Sequence, residues 1–115
     1  MNFFNENDIK EVIFSDRTVR FAFGKKGKLR TKSFNLGIVE FKKGIISLEH
    51  THRRIGEVLY ILEGEATVML EDDEITAKKG DFIYIPRNTN HRIITDKGMD
   101  IKILFMFSGG IEIKY

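Results

Sequence analysis

One feature limits the fold more than any other: short apolar runs recur along the whole chain, and each closes within a few residues on a glycine or a charged turn. Val19–Phe23, Phe34–Phe41, Ile45–His52, Glu57–Leu62, Ala66–Leu70, Ile75–Ala77, Phe82–Ile85, His91–Thr95, Ile101–Phe107 and Ile111–Lys114 all read as strands. Ten glycines and a single proline, Pro86, separate them. Close, even spacing of this kind indicates an antiparallel sandwich or a closed barrel. No stretch sustains a 3.6-residue period except Asn5–Phe14. There Ile9, Val12 and Ile13 predict one helical turn, capped by Asn7 or Asp8. The expectation is an all-β chain folded as one domain over residues 1–115.

Composition removes several function classes. The chain has 115 residues, 42% hydrophobic and 31% charged, a globular balance. It has no cysteine, which excludes disulfides, thiolate metal sites and cysteine nucleophiles. No apolar run approaches the length of a membrane span, and the opening MNFFNENDIK lacks the regions of a secretory signal. A cytoplasmic protein without a membrane partner is therefore expected. The net charge of +2 gives no reason to expect nucleic acid. Arg17 to Lys32 is a basic block and Glu63 to Glu74 an acidic one, both read as solvated loops and edges. The segment Gly24–Lys28 lacks the spacing of a phosphate-binding loop.

The three histidines carry the chemistry. His50 and His52 stand two apart on an expected strand, so both leave one face. That face also carries Ile46 and Leu48, which marks it as inward. One inward histidine is most simply a hydrogen-bonded core residue. Two at chelating spacing point to a shared metal. Glu57 opens the next strand on an apolar face, where a buried carboxylate needs a pairing partner or a cation. His91 again begins a strand. Tyr60 falls on the face opposite Glu57. Alternation turns Arg20 and Arg92 outward, and Arg53 and Arg54 sit in a turn near the expected mouth.

These residues carry a family resemblance. Gly44-x5-His50-x-His52-x4-Glu57-x6-Gly64 matches the first motif of the cupin superfamily at every fixed position. Gly80-x5-Pro86-x-Asn88-x2-His91-x3-Thr95 resembles the second. Two positions depart: Asn88 stands where glycine is usual, and Thr95 where asparagine is usual. Asparagine imitates glycine best at positive φ, so the first change is mild.

The resemblance implies a double-stranded β-helix, a jelly-roll-like barrel of two antiparallel sheets, with a metal-binding core over residues 44–95. It implies one divalent transition metal per chain (Mn, Fe, Ni, Co or Zn) held by His50, His52, Glu57 and His91. Zinc prefers four ligands and this set would close it, whereas the other metals keep two positions open. Cupins include dioxygenases, decarboxylases, isomerases and lyases as well as ligand sensors, so the motif does not name a reaction. The expected function is metal-dependent chemistry of the dioxygenase, isomerase or lyase kind on a small oxygenated or anionic substrate. The alternative is a metal-containing module that binds or senses a small ligand without catalysis. A homodimer is expected from the apolar double face of Val58–Leu62 and from the Phe-rich N-terminal segment.

Overall fold

The computed structural model describes residues 2–109; the expected strand Ile111–Lys114 lies outside them. A short 3-10 turn, Glu6–Asp8, leads into β1 (Glu11–Ile13), β2 (Thr18–Gly24), β3 (Leu29–Arg30) and β4 (Phe34–Phe41). Then follow β5 (Glu57–Glu63), β6 (Glu65–Leu70), β7 (Asp73–Lys78), β8 (Phe82–Ile85), β9 (His91–Ile94) and β10 (Ile101–Ser108). The larger sheet runs β1-β2-β4-β10-β5-β8, with β3 beside β2, and the smaller runs β7-β6-β9. All pairings are antiparallel except the short β2–β3 contact. The described residues are thus nearly all β, in two facing sheets.

Period-2 patterning builds this core. On β10, Ile101, Ile103, Phe105 and Phe107 are buried, while Lys102, Leu104, Met106 and Ser108 alternate on the outer face. That strand lies between β4 and β5, so it is the spine of the larger sheet. Phe41, Ile61 and Ile85 fill the same layer, and Ala66, Val68, Ala77 and Ile93 close it from the smaller sheet. Gly64 makes the tight passage from β5 to β6 at φ +88, where a Cβ would meet the Asp100 carbonyl. Among the described residues, no helix is long and apolar enough to cross a membrane.

Three expectations are corrected. The helical turn expected over Asn5–Phe14 is only the 3-10 turn Glu6–Asp8. Its cap is Asn5, whose side chain accepts from the Asn7 N–H while the Asp8 carboxylate accepts from the Asn5 N–H. Ile9 is buried just after it, and Val12 and Ile13 lie on β1, which pairs with β2. The expected strand Ile45–His52 is an irregular extended segment holding two isolated bridges, Ile46 with Ile94 and His50 with His91. At its start the inward face is the opposite of the one that alternation implies. Ile46 and Leu48 are 66% and 56% exposed, and Ser47 is buried. Finally, β2 carries an irregularity between Phe21 and Phe23, so Ala22 is buried and the strict alternation of Val19–Phe23 is broken.

Candidate metal centre

Glu57 is the first residue of β5 and His91 the first of β9, so the two sheets each bring one group to the same end of the fold. The extended segment between β4 and β5 supplies the other histidines. The His50 N–H donates to the His91 carbonyl and the His91 N–H to the His50 carbonyl, both at 2.9 Å. This reciprocal pair locks the segment against β9. The His52 carbonyl accepts from the Asn88 N–H at 2.7 Å, and Asn88 has φ 61, the conformation for which it substitutes for glycine.

Side-chain atoms of His52, Glu57 and His91 converge within 4.8 Å of one another. Glu57 Oε1 lies 3.8 Å from His52 Nε2 and 3.7 Å from His91 Nε2. These separations are too long for hydrogen bonds. They suit ligands sharing one ion, since donors about 2.1 Å from a metal stand roughly 3–4 Å apart. His91 Nδ1 lies 3.3 Å from the Thr89 carbonyl. A carbonyl only accepts, so the ring proton sits on Nδ1 and the Nε2 lone pair faces Glu57. His50 is adjacent, with its ring centre 6.2 Å from that of His52 and 6.0 Å from that of His91, but it is not part of the converging group.

Motif reasoning missed Arg17. Its Nη2 stands 3.1 Å from His50 Nε2, and its guanidinium carbon lies 4.7 Å over the Phe41 ring. Both oxygens of Asp16 accept from it at 2.9 Å. A signal was present: Arg17 precedes the buried Val19 by two positions and so shares its inward face. The basic block therefore does not form one surface patch, since Arg17 points inward and Arg20 pairs outward with Glu11 at 3.3 Å. Arg92 pairs with Glu49 at 2.7 Å, Arg53 and Arg54 are exposed, and Tyr60 packs on Phe82, all away from the centre. Thr95 is also away from it. Its hydroxyl donates to the Lys42 carbonyl and accepts from the Ile45 N–H, which fastens the turn after β4.

Val39, Phe41, Leu59, Ile93, Ile103 and Phe105 wall the pocket, a cavity of 30 Å³. That is room for an ion and little more, so a substrate must be small or enter only in part. Burial decides the charge states. It pushes His91 down to about 4, and His50 down to about 4 with help from Arg17. His52 is lowered for the same two reasons. Burial raises Glu57 to about 7, against the opposing pull of Arg17. At neutral pH the imidazoles are in the unprotonated, ligating form, and a bound cation would favour the Glu57 carboxylate.

Residues 37–107 match the family model described as a cupin domain. The chain belongs to the cupin family. This cupin is 41% identical over 61 residues to an uncharacterized protein of Methanocaldococcus jannaschii, covering 53% of this chain and 49% of that one. It is 38% identical over 52 residues to quercetin 2,3-dioxygenase of Bacillus subtilis, covering 45% and 15%. It thus spans about half or less of these curated relatives. Among solved structures it is similar to DMSP lyase DddQ of Ruegeria pomeroyi, with a TM-score of 0.82 at 18% identity over 94% of this chain and 60% of that one. At that identity the likeness is one of fold.

Proposed function

We propose that this cupin binds one divalent transition metal and applies it to a small oxygenated, anionic molecule, as an enzyme of the dioxygenase, isomerase or lyase kind. The observation that carries the reading is the convergence of His52, Glu57 and His91 in an apolar pocket. His50 stands beside them as the fourth residue of the set. A divalent ion held there supplies a Lewis acid for a substrate oxygen or, if redox-active, a site for O₂. The protein's own part is to keep the imidazoles neutral, exclude water with Ile and Phe walls, and orient His91 through Thr89. Charge favours an anion: a divalent ion with one carboxylate leaves +1, and the Arg17–Asp16 pair is neutral. The name of one relative, a dioxygenase, supports the enzymatic reading.

The test is open coordination. Oxalate or a 2-keto acid titrated against the Mn²⁺ or Co²⁺ form is expected to displace bound water, read by proton relaxation or the visible spectrum. A metal that exchanges no water and takes up no chelating acid would mark a closed, structural centre and reverse the reading.

We also propose that the protein is a homodimer through the outer face of the larger sheet. Phe82 and Tyr84 on β8 are 75% and 62% exposed, and they pair in register with Tyr60 and Val58 on β5. Met106 extends the apolar strip on β10 beside Val58. The N-terminal segment contributes less than the sequence implied, because Phe4 packs on Phe23 within the chain at 5.5 Å. Sedimentation at micromolar concentration is expected to give about twice 13.4 kDa. Phe82→Asp with Tyr84→Asp is expected to give the monomer. A wild-type protein that stays monomeric across that range counts against the dimer.

A further inference from the structure

A guanidinium buried in a metal pocket works against the metal's own charge unless something between them is negative. Arg17 lines the same cavity as His50, His52, Glu57 and His91, and its side chain is 8% exposed. Among the described residues that line the cavity, it is the one permanent cation. The other walls, Val39, Leu59, Ile93 and Ile103 with two phenylalanines, carry no polar side-chain group.

The guanidinium is fixed in place. Asp16 accepts from its Nε and Nη2, both at 2.9 Å, and Asp16 Oδ2 also accepts from the Leu48 N–H at 3.0 Å. The Phe41 ring lies 4.7 Å from the guanidinium carbon. The fork to Asp16 uses the Nε proton and one of the two on Nη2. Nη2 also stands 3.1 Å from His50 Nε2, so its second N–H is on the side of the metal set. An imidazole nitrogen has one in-plane lone pair. Once His50 ligates together with His52, Glu57 and His91, that N–H needs another acceptor, and a buried charged donor left without one is costly. Apolar walls supply none. The acceptor has to arrive with whatever small molecule meets the ion.

We propose that Arg17 is the substrate anchor, and that the substrate is a carboxylic acid with a second oxygen on the adjacent carbon, a 2-keto or 2-hydroxy acid. Such a molecule can face the ion with one carboxylate oxygen and its neighbouring oxygen. The remaining carboxylate oxygen is left to accept from Arg17 Nη2 in a charge-assisted bond. The charges agree. The ion with Glu57 leaves +1, Asp16 offsets Arg17, and one carboxylate brings the centre to neutral. The inference rests on the metal reading above and narrows its small anionic molecule to this class.

The experiment compares two chelators on the Co²⁺-loaded protein, followed by visible absorption. Pyruvate keeps one carboxylate oxygen spare, whereas acetohydroxamate spends both of its oxygens on the ion. The variants are Arg17→Lys and the double variant Asp16→Asn, Arg17→Gln, which leaves no lone buried carboxylate. In the double variant, affinities for Co²⁺ and for acetohydroxamate are expected to stay within about threefold of wild type, while pyruvate weakens by about tenfold or more. Arg17→Lys keeps the charge without the planar fork, so its loss is expected to be smaller but equally selective for pyruvate. It serves where the double variant fails to fold. A wild-type protein that takes up no Co²⁺, or whose loaded form binds neither chelator, overturns the proposed function and this inference with it. Wild-type binding of acetohydroxamate but not of pyruvate, unchanged pyruvate affinity in the variants, or equal losses for both chelators overturns this inference alone. So does a loss of Co²⁺ affinity as large as the loss for pyruvate, which would make Arg17 a support of the metal set.

Discussion

Replacing His52, Glu57 or His91 by alanine is expected to strip the protein of its metal. After reconstitution and gel filtration, elemental analysis of the wild type should find about one ion per chain, and each variant should retain almost none. Groups that merely support a ligand are worth about 10–100-fold in affinity, so removing a ligand should cost at least about 100-fold. The three residues come from different parts of the fold: the segment before β5, the start of β5 and the start of β9. None can readily move to cover another's loss. The effect should be local, because His52 is only half-buried and its removal leaves the Ile and Phe core in place. Full metal retention by the double variant His52→Ala, His91→Ala would remove the centre from consideration. Acid should release the metal as well. An ordinary imidazole would place that loss near pH 6. Burial holds His91 down to about 4 but lifts Glu57 to about 7, so below about pH 7 the ion must displace a proton from Glu57, and affinity should weaken from there before the imidazoles titrate.

Much of this centre was legible because motif spacing survives irregular backbone. His50, His52, Glu57 and His91 lie close together even though the segment bearing the first two is not a regular strand. Strand patterning was reliable where a partner pairs along the whole strand, as β10 does with Phe34–Phe41 and β5 with Phe82–Ile85, and both have the expected bounds. It failed at Ile45–His52 because a single β9 partner, joined at two isolated bridges, does not impose a pleat. Ile46 and Leu48 look inward by alternation and face outward in fact. Short local bonds also decided the N-terminus, where the side chains of Asn5 and Asp8 close a 3-10 turn and the chain then enters β1. Arg17 was hidden for a different reason. Its charge placed it in a solvated block, while its position relative to Val19 placed it inside, and a fork to Asp16 made the inside tolerable.

Glu57→Gln is expected to make the metal-free protein more stable, with a size set by pH. Burial lifts this carboxyl from its ordinary 4.5 to about 7. A raised acid pKa means that ionisation is resisted in the folded chain and free in the unfolded one. The penalty is absent below about pH 4.5, grows between 4.5 and 7, and is complete above 7. At about 1.36 kcal/mol per pKa unit, the glutamine variant should gain about 3 kcal/mol at pH 8, read as a shift in the urea midpoint, and nothing near pH 4. The wild-type profile itself runs the other way in acid. The unfolded chain protonates His50, His52 and His91 near 6.5, whereas the folded chain resists, so stability falls as pH drops from 6.5 toward 4. The difference between the two proteins cancels that shared histidine contribution and isolates Glu57. Saturating metal should reverse the sign: an ion at about 1,000 times its dissociation constant adds about 4.1 kcal/mol to wild type, and should add less than about 1 kcal/mol to a variant that has lost its charged ligand. A carboxylate that weakens the empty fold and strengthens the loaded one is placed for binding. If Glu57→Gln is neutral or destabilising without metal at pH 8, Glu57 is a structural residue and the centre has lost its anionic ligand.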